Sequence, residues 1–581
     1  MSAAAGYSSY VRPSRATTRP QRVNVGGYLT PLHEVVAPAV WRLPGDVRAP
    51  LLREFYGRHD QAEGWTEKGA AQGWLAAEVA AMRRSRIDVA FDEWAIDERA
   101  KKGAELCGKF LTLEPAAAYA SALGVIPPEP GNPKNITRLG ALKRLQCPKW
   151  WRRQLRRQWT RSAETHMRGL GIVQKKKQLY ATDRAVAWRR TRRARDKALL
   201  QELQVVSDAG DQLELWDVVQ ASPANPAIRR AGLMVRVRGF EEVAQSLGHV
   251  GEFFTLTAPS AYHCTNQDGE RNPHWQGFSP RDAQAWLCRM WARARAKLDS
   301  MNVLLYGFRV AEPHHDGTPH WHLLIFTPQA SAETVRFVLR SLWLSEYGGE
   351  VGASEHRCKV KRIDPAKGSA SGYIAKYVAK NIDGFQVGQD DEAEGVTDAT
   401  QTAERVQAWA SAYNARQFQQ IGGPPVGLWN ELRRIRRSVE NEKIEAVRLQ
   451  CEAQSWAGFI AENGGIAAGR NTHVRLWKER TGELSSYGEV RPDLPAGVML
   501  GADPRAAGKA RLVRTRPRVW RIVRKQDAAA GRGGLRAVPE GLLLSPLGPV
   551  SITVVKLKSV PTAKVTGAHR SRGSPGETWM H

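Results

Sequence analysis

The residues best suited to chemistry lie between Glu312 and Phe326, where His320 and His322 are separated by a single tryptophan. The apolar run that follows predicts a strand, and residues two apart on a strand project from the same face. Two imidazoles side by side offer nitrogen ligands to a divalent metal ion, and a carboxylate can complete such a site. Glu312 supplies that carboxylate if the turn-forming residues 316–319 fold the preceding apolar segment back as a hairpin.

A second segment with chemical potential, residues 372–380, follows about fifty residues later and has the pattern of a helix. Tyr373 and Tyr377 are spaced i, i+4 and therefore share one helix face, and Lys376 and Lys380 each follow a tyrosine by three residues. A phenol with a pKa of ~10 is a weak nucleophile, and a nearby ammonium group or metal ion helps to form and hold the phenolate. The two segments together predict a site that attacks a phosphodiester covalently.

Each piece also has a simpler structural interpretation. A lone His-x-His pair on a strand is more often structural than metal-binding, and tyrosines at i, i+4 on a helix usually pack a core. The upstream carboxylate, the duplicated Tyr-x-x-Lys unit and the order of the parts together favour the catalytic interpretation.

These motifs, taken in order, resemble those of the HUH (His-hydrophobe-His) endonucleases that initiate rolling-circle replication. The resemblance is strongest to the replication gene A initiators of temperate tailed phages, which have two catalytic tyrosines spaced as here. Three further stretches are similar to segments of that group: Phe253–His263, Arg309–His314 and Gln417–Pro425. The resemblance covers roughly residues 140 to 440.

The resemblance implies an α+β fold whose catalytic core is an HUH-type antiparallel sheet with packed helices. It implies nicking of single-stranded or locally melted origin DNA, a 5′-phosphotyrosine link, a freed 3′-OH that primes synthesis, and host helicase and polymerase as partners. Mg²⁺ or Mn²⁺ is the expected cofactor. The expected metal ligands are His320, His322 and Glu312, and the expected catalytic residues are Tyr373, Tyr377, Lys376 and Lys380, with Tyr373 attacking first.

The composition independently favours a polyanionic partner. The 581 residues include 86 Lys or Arg against 58 Asp or Glu, a net charge of +28. No pair of the six cysteines forms Cys-x-x-Cys, which argues against a zinc finger and a secreted disulfide framework. The sequence has no run of eighteen apolar residues, no apolar signal core and no P-loop, so we expect a cytoplasmic protein without a membrane segment or helicase motor of its own.

Residues 142–200 hold 19 Lys or Arg against 3 acidic residues, with tryptophans among the arginines, and we expect these helices to lie along DNA phosphates. The arginines chosen as candidate DNA contacts are Arg152, Arg153, Arg156, Arg157, Arg189, Arg190, Arg192 and Arg193.

The expected organisation has six parts. They are a disordered basic arm (1–45), a helical region (46–140), a basic helical DNA-contacting region (141–245), the HUH endonuclease domain (246–385), an acidic linker with a helical extension (386–445) and a weakly structured basic tail (446–581).

The residue pattern also predicts individual elements from residue 246 onwards. The predicted strands are 253–257, 303–310, 321–326 and 356–363, and the predicted helices are 280–300, 331–346 and about 401–420. Residues 368–372 offer serine hydroxyls that can cap the tyrosine helix. An acidic patch at 390–394 marks the linker, and a short hairpin at 550–557 is the alternative to disorder in the tail.

Two other functions remain open at this point. A two-tyrosine HUH transposase would share the active site but usually carries a cysteine-rich zinc module, which this sequence lacks. A noncatalytic basic DNA-binding protein would use the same histidines and tyrosines as core residues.

Overall fold

A computed structural model describes residues 40, 43, 45–84, 93–131, 136–364, 366, 368–384, 399–469, 471–480, 482–501 and 512–525. These residues form a mixed helical and antiparallel-sheet protein, as expected for an α+β chain. Within this part of the chain, no helix is both long enough and apolar enough to cross a membrane.

The helices are numbered in chain order, and most of them precede or flank the central sheet. They are α1 Gly45–Asp60, α2 Trp65–Arg84, α3 Glu93–Gly108, α4 Leu113–Ala122, α5 Arg138–Leu145, α6 Pro148–Gly169, α7 Asp183–Gln201, α8 Leu215–Gln220, α9 Pro226–Ser246, α10 Pro280–Ser300, α11 Ala332–Trp343, α12 Ala353–His356, α13 Ala370–Ile382, α14 Ala399–Tyr413, α15 Val426–Leu432, α16 Glu442–Glu452 and α17 Trp456–Glu462.

The strands among the described residues form three antiparallel sheets. They are β1 Leu203–Ser207, β2 Gln212–Glu214, β3 His249–Leu256, β4 Tyr306–Pro313, β5 Pro319–Pro328, β6 Cys358–Arg362, β7 Phe418–Ile421, β8 Val474–Glu479, β9 Leu494–Leu500, β10 Leu512–Arg514 and β11 Trp520–Arg524. The central sheet has the order β6-β3-β5-β4-β7, and the two smaller sheets have the orders β11-β1-β2 and β10-β9-β8.

The central sheet is covered by helices on both faces. One face carries Phe254, Trp321 and Leu323 and packs against α10 and α11. The other carries Phe253 and Leu324 and packs against α9, α13, α16 and α17. Successive side chains on a strand alternate between faces, so the same strands supply both halves of the core. Strand β5, which carries the histidine pair, lies at the centre of this sheet.

Several sequence predictions agree with the structure in type and place. The predicted helix 280–300 is α10, and the predicted strands 253–257, 303–310 and 321–326 overlap β3, β4 and β5. The helix predicted at 331–346 is α11. The residues of the predicted strand 356–363 begin at the end of α12 and continue as β6.

The prediction of one helix over 401–420 was wrong in its last third. Helix α14 ends at Tyr413, and Asn414 adopts a left-handed backbone with a φ of 55°, which terminates a helix. The chain then forms β7, which pairs with β4 as the fifth strand of the central sheet. Part of the segment 386–445, predicted as a linker and helical extension, is therefore hydrogen-bonded into the sheet that carries the histidines.

The prediction of a weakly structured tail from residue 446 was wrong for the described part of that region. Its helices α16 and α17 and strands β8 and β9 bury Cys451, Trp456, Val474 and Val498 in the same core as the central sheet. Strand β11 pairs with β1, about three hundred residues earlier in the chain. Residues 446–500 hold six Lys or Arg against six acidic residues, and the basic excess that suggested a weakly structured tail lies only after residue 500.

Three other sequence predictions lie largely or wholly outside the described residues. They are the basic arm at 1–45, the acidic patch at 390–394 and a short hairpin at 550–557.

Candidate active site

The hairpin between β4 and β5 brings the three predicted metal ligands together. Glu312 is directly opposite His320 in the antiparallel register, and His322 lies two residues further along the same face. Gly317 has a φ of 79° in the connecting turn, a conformation that glycine adopts without strain. The amide of His314 also donates to the carbonyl of Thr318 at 2.8 Å and closes the hairpin.

The ligand atoms are close enough to share one ion. The Nε2 atoms of His320 and His322 are 2.9 Å apart, and Nε2 of His322 is 3.8 Å from Oε2 of Glu312. One ligand atom from each of the three residues lies within 4.8 Å of the others, and all three residues are buried. Two ligands at right angles with bonds of about 2.1 Å are about 3 Å apart. The three residues therefore fit a divalent cation.

The electrostatic environment keeps both imidazoles neutral near neutral pH. Burial, together with the ammonium groups of Lys380 and Lys376, lowers the pKa of His322 to about 3. Burial beside His314 lowers the pKa of His320 well below its ordinary value. The Nδ1 atom of His322 is 3.2 Å from the hydroxyl oxygen of Thr255. Donation from Nδ1–H to that oxygen leaves the Nε2 lone pair directed at the site.

A second layer of residues holds the Glu312 carboxylate. The side-chain amide of Asn381 donates to Oε1 of Glu312 and, at 2.7 Å, to the carbonyl of Tyr377. The amide nitrogen of Gln417 donates to Oδ1 of Asn381 at 3.0 Å, which orients the Asn381 side chain. Lys380 is also buried, with Nζ 3.8 Å from Oε2 of Glu312. The carboxylate is thus tied directly to the helix that carries the tyrosines.

Helix α13 is anchored at its N-terminus and along its apolar face. The Ser369 hydroxyl accepts from the amide of Gly372 at 3.0 Å, as predicted for a capping serine. The carboxylate of Glu241, on α9, accepts from the amides of Ala370 and Ser371 at 2.6 and 3.0 Å. A carboxylate at this end also interacts favourably with the helix dipole.

The apolar face of helix α13 is fixed by packing against the core. Ile374, Val378 and Ile382 are buried in the core beneath the central sheet. Their spacing of four residues places them on one stripe of the helix, which leaves the tyrosines on a neighbouring stripe.

The two tyrosines are half-buried and have different surroundings. The Tyr377 ring packs on the His322 ring with centroids 4.0 Å apart, and Phe253 stacks on both at 5.3 and 5.4 Å. The Tyr373 ring lies under the ammonium group of Lys361, 4.7 Å from its centroid. Tyr377 is therefore the phenol in direct contact with a candidate metal ligand.

The two predicted catalytic lysines also differ. Lys380 is directed at Glu312, and its Nζ lies 5.2 Å from the ring centroid of Tyr180. Lys376 is exposed on the helix surface. The repeat of Tyr-x-x-Lys in the sequence thus places one lysine inside the site and the other on the exposed surface beside it.

The turn before the histidine strand is held by a buried ion pair that was not predicted from the sequence. Arg168, near the end of α6, donates to the Asp316 carboxylate at 2.9 Å and to the carbonyls of Asp316 and Phe278 at 2.8 and 2.7 Å. Burial alone would raise the pKa of Asp316, but Arg168 and His263 outweigh it and hold that pKa well below its usual range. The basic helix α6 therefore supports the site.

Most of the predicted DNA-contacting arginines have partners within the protein. Arg152 pairs with Asp97, and Arg156 donates to Glu93 at 3.0 Å. These contacts hold α6 against α3. The DNA contacts assigned to these arginines stay predictions.

The other six candidates divide between paired and exposed side chains. The partners are the Tyr487 hydroxyl for Arg153, Gln407 for Arg189, Glu404 for Arg190 and Asp196 for Arg192, whereas Arg157 and Arg193 are exposed.

The fold and the site together define an α+β protein with a candidate divalent-metal centre beside a helix that carries two phenols. The sequence matches the model of the bacteriophage replication gene A protein (GPA) family over residues 75–385, which is more than half of the chain. The chain belongs to this family. The match begins at residue 75, well before residue 140, where the resemblance seen in the motifs begins.

Curated relatives extend this finding. The chain is 39% identical over 397 residues to the replication gene A protein of Escherichia phage 186, covering 66% of this chain and 56% of that protein. It is 36% identical over 396 residues to the replication protein of Haemophilus phage HP1, covering 67% of this chain and 50% of that one. It is 33% identical over 454 residues to a probable replication endonuclease from a prophage-like region of Salmonella typhi, covering 73% and 55%. The chain thus spans about half the length of these relatives. No solved structure matches it.

The residues that hold the site together were not predicted from the sequence, although the spacing of one of them indicates its place. Asn381 follows Tyr377 by four residues and so extends the stripe of the two tyrosines along one helix face. Arg168 and Gln417 had no such signal, because their partners lie far away in the sequence.

Proposed function

We propose that this protein is a metal-dependent endonuclease that nicks one strand of a replication origin and initiates, and later terminates, rolling-circle replication of phage DNA. Membership of the replication gene A family supports the replication role. The observation that carries the chemistry is the packing of Tyr377 on His322, within a buried Glu-His-His group suited to a divalent cation.

The proposed reaction is an in-line displacement at phosphorus in single-stranded origin DNA. A phenolate oxygen forms a bond to the phosphorus, and the bond from phosphorus to the 3′ oxygen breaks. The phenol gives up its proton, and the departing 3′ oxygen takes one and becomes the hydroxyl that primes synthesis. The products are a 5′-phosphotyrosine link and a free 3′ end, so no net hydrolysis occurs and the energy of the phosphodiester is retained.

Glu312, His320 and His322 would hold the Mg²⁺ or Mn²⁺ ion. When bound, such an ion polarises nonbridging phosphate oxygens and offsets the charge that develops in the displacement. Asn381 and Gln417 keep the carboxylate oriented, and Thr255 keeps the His322 ring oriented.

The two tyrosines would act in turn, one in the first cleavage and the other in the second. In the conformation described here Tyr377 is the phenol placed at the histidines, so we propose it as the first nucleophile, opposite to the order expected from the sequence. Tyr373, one helical turn away, would attack the regenerated origin after a round of copying. The 3′-OH freed by this second cleavage then attacks the phosphotyrosine at Tyr377, which forms a phosphodiester, releases the Tyr377 phenol and closes the displaced strand into a circle.

The test is covalent capture of a labelled single-stranded origin oligonucleotide with Mn²⁺ or Mg²⁺, followed by a denaturing gel. Y377F and Y373F should each impair a different step, cleavage of the first strand or transfer to the second. The double variant should form no covalent adduct, whereas Y347F, at an exposed tyrosine after α11, should react like the parent protein.

An adduct that survives both tyrosine changes would end the proposal. A protein that retards a supercoiled origin plasmid but leaves it closed would instead be a noncatalytic DNA-binding protein. The same gel separates these outcomes.

A further inference from the structure

Strand β6 carries lysines towards the candidate active site from the edge of the central sheet. Lys359 is opposite Thr255, and Lys361 is opposite Phe253, in the register of β6 with β3. Thr255 and Phe253 belong to the face that contacts His322. Because residues opposite each other on paired strands share a face, both lysines lie on the face of the candidate metal ligands.

The arrangement places positive charge beside the phenols. Lys359, Thr255 and His322 form one row across three neighbouring strands, so the backbones of the two outer residues are about 10 Å apart at the usual strand spacing. Lys361 extends over the Tyr373 ring, 4.7 Å from its centroid. Lys359 and Lys361 are exposed, and Lys376 adds a third exposed cation from α13.

We propose that Lys359, Lys361 and Lys376, here called the basic edge, bind the phosphates of single-stranded DNA next to the scissile phosphate. This inference rests on the proposed function, because it names where that substrate lies. Proteins that bind single strands combine a cationic track with aromatic rings on which bases stack. Tyr373 and Lys361 are such a pair, in contact with each other and one helical turn from the tyrosine that packs on His322.

Lysines on an edge strand also have another use, since charge on an edge deters pairing with other chains. Among the described strands, β6 pairs with β3 alone, so it is such an edge. Arg362 separates the two explanations. It is exposed, lies on the same strand and is opposite Glu252, which faces away from the site and pairs with Arg336. Protection of the edge would use all three charges of β6, which are Lys359, Lys361 and Arg362. DNA binding at the basic edge would use only Lys359 and Lys361 from this strand, because they lie on the site face.

The experiment compares the full chain carrying K359Q/K361Q with R362Q in binding of a fluorescent single-stranded origin oligonucleotide over a salt series. Removing one lysine–phosphate interaction with a single strand reduces the slope of log K against log salt by about 0.7, so the double variant should lose about 1.4 and R362Q nothing. The KM for nicking should rise about tenfold in the double variant, while kcat at saturating DNA stays within about twofold.

K359Q alone should show about half of the slope change, and it leaves the lysine on Tyr373 in place. Circular dichroism and thermal unfolding check that each variant is folded.

An unchanged slope in K359Q/K361Q would overturn the proposal, as would an equal reduction in R362Q. If the parent protein never nicks the oligonucleotide but K359Q/K361Q still lowers the salt slope and R362Q does not, the proposed function fails and the basic edge stands as a surface that binds single strands. If it nicks and the lysine changes have no effect, the basic edge alone fails.

Discussion

The histidine strand and the basic helices are both predicted from the sequence to be functional regions, but their side chains have very different surroundings in the structure. On β4 and β5, the three predicted ligands converge within 4.8 Å. On α6 and α7, most of the predicted DNA-contacting arginines turn to partners inside the protein. The first region is organised by neighbours in sequence and the second by residues that are far away.

This difference has a physical cause. Alternation on a strand places His320 and His322 on one face without any knowledge of the rest of the fold, and a tight turn places Glu312 opposite them. An arginine on a helix has no such constraint, because its long side chain reaches whichever carboxylate the tertiary structure supplies. Arg156 meets Glu93, 63 residues earlier, and Arg190 meets Glu404, 214 residues later. Charge density therefore predicts a polyanion partner for the whole chain more securely than for a particular arginine.

The largest expected effect separates the metal-ligand interpretation of the histidine strand from a purely structural one. H322A should reduce nicking about 10³-fold, because losing a ligand forfeits several kcal/mol of transition-state stabilisation from a bound cation. Its Mn²⁺ affinity, measured by electron paramagnetic resonance, should fall as well. H356A, at an exposed histidine outside the site, is the matched control. Equal Mn²⁺ binding by H322A and the parent protein would make the cluster structural.

The next effect tests whether a basic helix serves the site through its buried arginine. R168M should lower the free energy of unfolding by about 3–5 kcal/mol, because it leaves the Asp316 carboxylate buried without its partner. Adding D316N should recover part of that stability, since it removes the buried negative charge that has lost its arginine partner. Denaturant unfolding measures both effects. A decrease below about 1 kcal/mol in R168M would mean that the turn is held by its other contacts.

The same pair has a defined pH dependence. In the parent protein the pKa of Asp316 is depressed on folding, so its contribution is present above the ordinary aspartate pKa and is lost as pH falls below it. In R168M burial should instead raise the pKa of Asp316 in the folded state. The contribution of Asp316 to stability is then present at low pH and is lost as the pH rises. The difference in stability between the two proteins should therefore be largest near neutral pH and shrink towards pH ~4.

Local patterns accounted for much of the catalytic sheet and little of what surrounds it. Helix α10 begins at a serine followed by proline and carries tryptophans at helical spacing, so its limits were readable. Strand β7 was read as helix, because a four-residue strand carries almost no periodicity and is specified by pairing with β4. The prediction for the C-terminal region was wrong because its short helices and strands give only a weak periodic pattern, and the basic residues after 500 were taken as a sign of disorder. Trp456 and Val498 show that it contributes to the core.

The same division holds within the site. Glu312, His320, His322 and the tyrosines were predictable because their spacing alone places them on shared faces. The partners of Glu312 were not predictable, since Gln417 reaches it through Asn381 from the position just before β7, a strand that the sequence did not reveal.

A smaller effect tests this second layer of the histidine-strand region. N381A and Q417A should each weaken Mn²⁺ binding by about 10- to 100-fold, the usual cost of removing a partner that orients a metal ligand. Q419A is the matched control, because Gln419 lies two residues after Gln417, within β7, and is opposite Arg309, whose side chain contacts Trp321 on the other face of the sheet. Titration calorimetry with Mn²⁺ gives the affinities independently of nicking. Unchanged affinity in N381A would show that the carboxylate holds its position unaided.

The smallest effect brings the comparison down to two arginines of the basic helices. Arg156 is paired with Glu93, so R156A should lower the free energy of unfolding by less than about 1 kcal/mol and leave the salt dependence of DNA binding unchanged. Arg193 is exposed on α7, and if it contacts a phosphate, R193A should leave stability unchanged and reduce the single-strand salt slope by about 0.7. Denaturant unfolding and the fluorescence salt series measure both quantities on the same proteins. A slope change in R156A equal to that in R193A would mean that the arginine leaves Glu93 when DNA binds, and the difference between the two regions would then describe the free protein alone.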